Sequence, residues 1–211
     1  MNMKNKNDKF RILLNTTLVT GATLFDKVVF LIINVFIARH LAVALWGEYS
    51  TALAFATFFS TITSIGINQT LIRFVNLESH LEKEHFGNAL FVKTTLAILA
   101  YTAMFITLIV IYFTSSKYNM NTIYLILILG AVRLINEYLS VFYAFYDSKE
   151  EFGKSTVFNF FFSFLFLIGT LLVIFYEGNY FHFAFVRLGA ALLIITIVII
   201  VTLSRFKVAF N

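Results

Sequence analysis

Five ionisable side chains lie inside long apolar stretches of this chain: Asp26 and Lys27, Arg133 and Glu137, and Arg187. Inside a bilayer each such charge costs at least ~2.5–3.5 kcal/mol, so each marks a functional candidate. Three cations against two carboxylates leave the interior net positive. That balance suits an anionic ligand, a pyrophosphate group better than a cationic drug. Lys27, Arg133 and Arg187 are the candidate binding residues. Asp26 and Glu137 are the candidate titrating or ion-binding residues. Structural readings stand beside these. Arg133 and Glu137 are four residues apart and can meet on one helix face, neutralising each other. Asp26 can pair with Lys27 or Arg133 in the same way. Arg187 lies about a third of the way into its stretch and can snorkel to the nearer interface.

The elements that carry these residues are six apolar stretches, approximately 12–38, 47–72, 89–113, 120–146, 155–177 and 180–203. A helix rises about 1.5 Å per residue, so ~20 residues cross the ~30 Å hydrocarbon core. The chain is 60% hydrophobic, only 13% charged, and holds 27 Phe in 211 residues, with a mean hydropathy of +0.86. A water-soluble domain of this size lacks room to hide that much apolar surface. The expected fold is all-α: a polytopic membrane protein, a single six-helix lobe over residues 1–211 with short connections and no internal repeat. The first stretch is too long for a signal-peptide core and reads as an uncleaved span.

Charge placement predicts the orientation. Lys4, Lys6, Lys9, Arg11, Arg73, Lys83, Lys93, Lys149, Lys154, Arg205 and Lys207 fall on one side, and Arg39 and Lys117 on the other. Eleven against two, with an even number of spans, predicts that both termini are cytoplasmic. The net charge of +5 therefore reports topology, and nucleic acid is not an expected partner. With no cysteine, disulfides and thiolate chemistry are excluded. With no proline, any kink must come from glycine, from Ser/Thr hydroxyls bonding back to the helix, or from packing. Gly21, Gly66, Gly130, Gly169 and Gly189 are the soft points.

At 100° per residue the polar side chains fall into stripes. Thr16, Thr20, Thr23, Lys27 and Asn34 share one face of the first span, with Asp26 flanking it; Ser50, Thr57, Thr61, Ser64 and Asn68 share one of the second. Arg133, Glu137, Ser140 and Asp147 align on the fourth, and Thr156, Asn159, Ser163 and Thr170 on the fifth. Lipid cannot hydrogen-bond these groups, so they must face other helices or a wet cavity. Hydroxyl stripes alone read first as helix packing. Four in one small bundle raise the case for a shared hydrated cavity. Enzyme signatures are missing: there is no G-x-S-x-G, no H-E-x-x-H, no phosphate loop and no dinucleotide fingerprint. His80 and His85 lie in a charged connection at the wrong spacing for a zinc helix, and nothing calls for a cofactor or metal.

One series of residues carries a resemblance. It runs Gly21-Ala22-Thr23-Leu24-Phe25-Asp26-Lys27, then Ala38-Arg39-His40-Leu41, Trp46-Gly47-Glu48-Tyr49-Ser50, and Gly66-Ile67-Asn68-Gln69-Thr70-Leu71-Ile72-Arg73. This resembles the N-terminal part of polysaccharide-biosynthesis flippases, the Wzx-like branch of the MOP transporter superfamily. The match is specific over 10–75 and general beyond. By position, Asp26 corresponds to the family's first-helix acid, Arg39 to the arginine at that helix's outer end, Gly47 and Tyr49 to its F-G-x-Y turn, and Arg73 to the arginine closing the second span. Ala42 stands where the family has glycine.

The resemblance implies export of undecaprenyl-diphosphate-linked oligosaccharide across the bacterial cytoplasmic membrane for O-antigen or capsule, coupled to protons or sodium. It also implies membrane-lipid contact and a second lobe, because the family has twelve or more helices in two lobes. A monomer of this chain cannot enclose a two-lobed cavity, so the expected partner is a second lobe or a second copy. Alternatives are a lobe of a MATE-like multidrug exporter and a non-transporting scaffold for polysaccharide assembly enzymes.

Overall fold

The computed structural model describes residues 3–64, 66–114 and 119–206, and gives the backbone only for 3–16, 18–19 and 205–206. Lys117 and Lys207 lie outside the described residues, as do the side chains of Lys4, Lys6, Lys9, Arg11, Thr16 and Arg205. Seven α-helices follow one another: α1 (Met3–His40), α2 (Val43–Ile62), α3 (Ile67–Leu77), α4 (Glu82–Thr114), α5 (Met120–Ser148), α6 (Phe152–Phe175) and α7 (Tyr180–Phe206). A short 3-10 turn at Ser79–Leu81 precedes α4. Six segments are long and apolar enough to span a membrane, α2 and α3 together making the second. The protein is an all-α, multi-pass membrane protein.

The second span is broken, and two of the agents available without proline, glycine and Ser/Thr back-bonding, are at work there. Gly66 adopts φ 65°, a left-handed conformation open to glycine at little cost. Ser60, Thr63 and Ser64 donate their hydroxyls to the carbonyls of Thr57, Ser60 and Thr61 at 2.9, 2.7 and 2.8 Å. The Ser60 and Thr61 carbonyls also accept from the backbone N–H groups of Thr63 and Ser64, so the hydroxyls add second donors to oxygens at the end of α2. The α1–α2 corner behaves differently. Ala42 there has φ −60° and ψ 153°, extended backbone that any residue adopts, so the glycine usual in the family is not needed.

α5 is the axis of the bundle. It packs on α2, α3, α4, α6 and α7, whereas α1 leans chiefly on α6. Burial follows: 44% of the apolar window of α5 is inside the protein, against 11% of that of α1. The core has two halves. One gathers Ile33, Tyr49, Ala56, Met104, Leu129 and Phe183; the other, towards the end where α1 begins and α7 finishes, gathers Leu71, Phe86, Leu139, Phe142 and Val198. Lipid tails are as apolar as leucine, so close packing holds such helices together. The α6–α7 contact is an example. A Cβ on Gly169 would lie 2.2 Å from Val186 Cγ1, well inside contact distance.

Gly169→Ala is therefore expected to destabilise the bundle by about 1–3 kcal/mol. Val186→Ala in the same chain should recover most of that loss. Thermal melts in detergent followed by circular dichroism check both; an unchanged midpoint in Gly169→Ala would refute the close approach.

Candidate functional site

The predicted site residues separate into two places. Asp26 and Lys27 lie on α1 and open into a groove of about 650 Å³ between α1 and α6, with Thr23, Asn34, Asn159 and Ser163. The polar stripes of the first and fifth spans thus face each other. Lys27 is exposed, although about 20 Å of helix separate it from the His40 end of α1. Asp26 forms no ion pair with Lys27 or Arg133 among the described residues, contrary to the pairing allowed above. One of its carboxylate oxygens is buried without a hydrogen bond.

Arg133, Glu137 and Arg187 form the second group, inside the bundle near the seam between the two core halves. The Arg133–Glu137 pair predicted from their spacing is absent. Glu137 instead accepts from Lys93 Nζ on α4 at 2.6 Å. Lys93 is wholly buried, so its place in the cytoplasmic charge count is corrected, and the bias survives its removal. The available signal was position: Lys93 stands inside the third apolar stretch, not before it. Arg133 keeps Arg187, Glu137, Tyr101 and Tyr49 as electrostatic neighbours. Tyr101 donates its hydroxyl to the Gly130 carbonyl, bracing α4 against α5 beside this group.

Arg187 does not snorkel. It is 3% exposed, and its guanidinium carbon sits 5.1 Å from the ring centre of Phe30 and 5.3 Å from that of Phe166. Two aromatic faces at this range attract a desolvated cation by about 2 kcal/mol or more. The Nε atoms of Arg133 and Arg187 and the hydroxyl of Tyr49 are buried without hydrogen-bond partners. Phe30 also lines the α1–α6 groove, so one ring borders both Lys27's groove and Arg187.

The remaining motif residues scatter. Arg39 and Arg73 are exposed at opposite ends of the bundle. Gly47 lies within α2 with open space where a Cβ would be, and its carbonyl accepts from Ser50 at 3.1 Å. Tyr49, in contrast, is fully buried beside the arginines. His85 stacks on Phe74 and pairs with Glu78 at 2.9 Å, tying the end of α3 to α4.

Apolar spans, a charged interior seam and a polar groove on an outer helix define a multi-pass membrane protein that offers polar groups at membrane depth. The chain belongs to the polysaccharide biosynthesis protein family, whose profile matches residues 12–211. That match covers all six spans and extends the resemblance past residue 75. It gives the chain a role in polysaccharide biosynthesis at a membrane. No curated protein and no solved structure matches the chain.

Removing one partner of the Lys93–Glu137 pair should strand a buried charge. Lys93→Met is expected to cost about 3 kcal/mol or more, and Lys93→Met with Glu137→Leu to cost less than Lys93→Met alone. Unfolding in detergent across this double-mutant cycle checks the coupling; strictly additive losses would remove it.

Proposed function

We propose that this chain is one lobe of a flippase that moves undecaprenyl-diphosphate-linked oligosaccharide from the inner to the outer leaflet of the bacterial cytoplasmic membrane. The observation that carries the reading is Lys27, a cation exposed within an apolar span and set in a polar groove. An ammonium there is too costly to face lipid and calls for water, a partner or an anionic substrate. The diphosphate supplies that anion. Both termini face the cytoplasm in this reading, as the bias of Lys and Arg supports. The chain works as a transporter and not as an enzyme.

Lys27 makes the first contact with the diphosphate. Arg187 waits behind Phe30 and reaches the groove only when that ring turns. Arg133, drawn between Arg187 and Glu137, adds positive potential to the seam. Asp26, with an unbonded buried oxygen, exchanges a proton or sodium ion and so couples rocking of the lobe to a gradient. Glu137 contributes through its pair with Lys93. A second lobe, or a second copy of the chain, covers the α1–α6 groove and closes the path.

The test is surface polysaccharide in a flippase-null bacterium that carries the matching pathway. One strain expresses this chain alone, and another adds the C-terminal lobe of a full-length flippase. Restored polysaccharide in either is expected. Lys27→Gln and Arg133→Gln should each lower it about tenfold or more with unchanged membrane levels, and Lys27→Arg should retain it. Wild-type polysaccharide in both neutralised variants would overturn the site, and rescue in neither strain would overturn the function.

A further inference from the structure

A second polar cavity lies beside the groove, towards the end of the bundle where α1 begins and α7 finishes. It measures about 310 Å³, is walled by α1, α3, α5 and α6, and shares Thr23 and Asn159 with the groove. Its chemistry is unlike that of the arginine seam. No Lys or Arg lines it, and its polar groups are hydroxyls, carboxamides and one carboxylate, Asp147. Ser155 donates to Asp147 at 2.8 Å and fixes that carboxylate at the mouth of α6. Asn68 Oδ1 on α3 and the Tyr143 hydroxyl on α5 are buried with no hydrogen-bond partner. Buried polar atoms normally find one, and leaving each unmatched costs about 1–3 kcal/mol.

We propose that this cavity is the sugar subsite, holding the sugar ring next to the diphosphate through Asn68, Tyr143 and Asp147. It rests on the flippase reading and assigns a recognition role to residues outside that reading's charge set. A phosphate calls for cationic donors, which this lining lacks, and the Asp147 carboxylate repels it. A sugar presents neighbouring hydroxyls that both donate and accept. Asp147 and Asn68 Oδ1 accept from such hydroxyls, while the Tyr143 hydroxyl either donates or accepts. The volume lies at the lower end for ligand pockets, ~300–1,000 Å³, which suits a monosaccharide unit. Continuity with the groove places the diphosphate at Lys27 while the sugar occupies the cavity. The break at Gly66 is what makes the wall possible, since it redirects α3 so that Asn68 and Ile72 line the cavity.

The full chain in lipid nanodiscs would be titrated with bare undecaprenyl diphosphate and with a panel of the same lipid carrying glucose, galactose or N-acetylglucosamine. At least one sugar-bearing lipid should bind about tenfold tighter than the bare one. Tyr143→Phe and Asn68→Ala should each abolish most of that increment while affinity for the bare lipid holds. Asp147→Asn, which keeps shape and packing, provides a third variant should either of the others fold poorly. Lys27→Gln should weaken both probes together. Equal affinity for bare and sugar-bearing lipids in the wild type, or an increment that persists in folded variants, would overturn the sugar subsite and leave the flippase reading standing. Binding of neither probe would overturn both.

Discussion

A charge must be matched before a helix can pass it through a bilayer, and in this bundle the Lys93–Glu137 pair meets that constraint at the centre. Lys93 is the most completely buried cation described, and its only route to low energy is the Glu137 carboxylate on the neighbouring helix. The pair sets the register of α4 against α5. Because α5 is also the helix on which α2, α3, α6 and α7 pack, that register propagates through the bundle. Core residues then collect on either side of the charged seam, giving two apolar halves instead of one.

The arginines solve the same problem in another way. Arg187 is held between Phe30 and Phe166, so aromatic faces stabilise it where no carboxylate is paired with it. Its Nε and that of Arg133 remain without acceptors. Two such groups in one seam store positive potential inside the protein, which is the property a carrier of an anionic headgroup requires. Phe30 belongs to both the seam and the outer groove. One ring therefore borders both the groove of an exposed lysine and a hidden arginine.

Packing and function are divided between different helices. α5 and its neighbours use buried alanines, the Gly169–Val186 approach and the seam ion pair to pack closely. α1 is loosely held, touching chiefly α6 and keeping much of its surface outward. The unmatched groups of Asp26, Asn68 and Tyr143 sit along that outer helix and the walls it shares with α3, α5 and α6, whereas those of Tyr49, Arg133 and Arg187 belong to the interior seam. An element with few internal contacts can change its neighbours at low cost, and a lobe that must meet a second body presents such an element at its edge.

Span number, membrane residence and family were legible in the sequence because each depends on local composition or on short ordered motifs. Twenty apolar residues force a helix in lipid whatever their neighbours, and the stripes of the first and fifth spans face each other at a period that geometry dictates. The weakness at Gly66 was legible for the same reason: glycine tolerates a positive φ wherever it stands. The partners of the charges were not legible. Arg133 and Glu137 are ideally spaced on one helix, yet Glu137 pairs across to Lys93, because which side chain lies nearest depends on which helices adjoin and at what depth. Tertiary structure alone decided that Lys93 meets Glu137, that Arg187 rests on two rings, and that Asn68 shares a cavity with Tyr143 and Asp147. Tyr143 and Asp147 are one turn apart on α5, but Asn68 is distant in the chain, and only the packing of α1, α3 and α6 around α5 brings it to them.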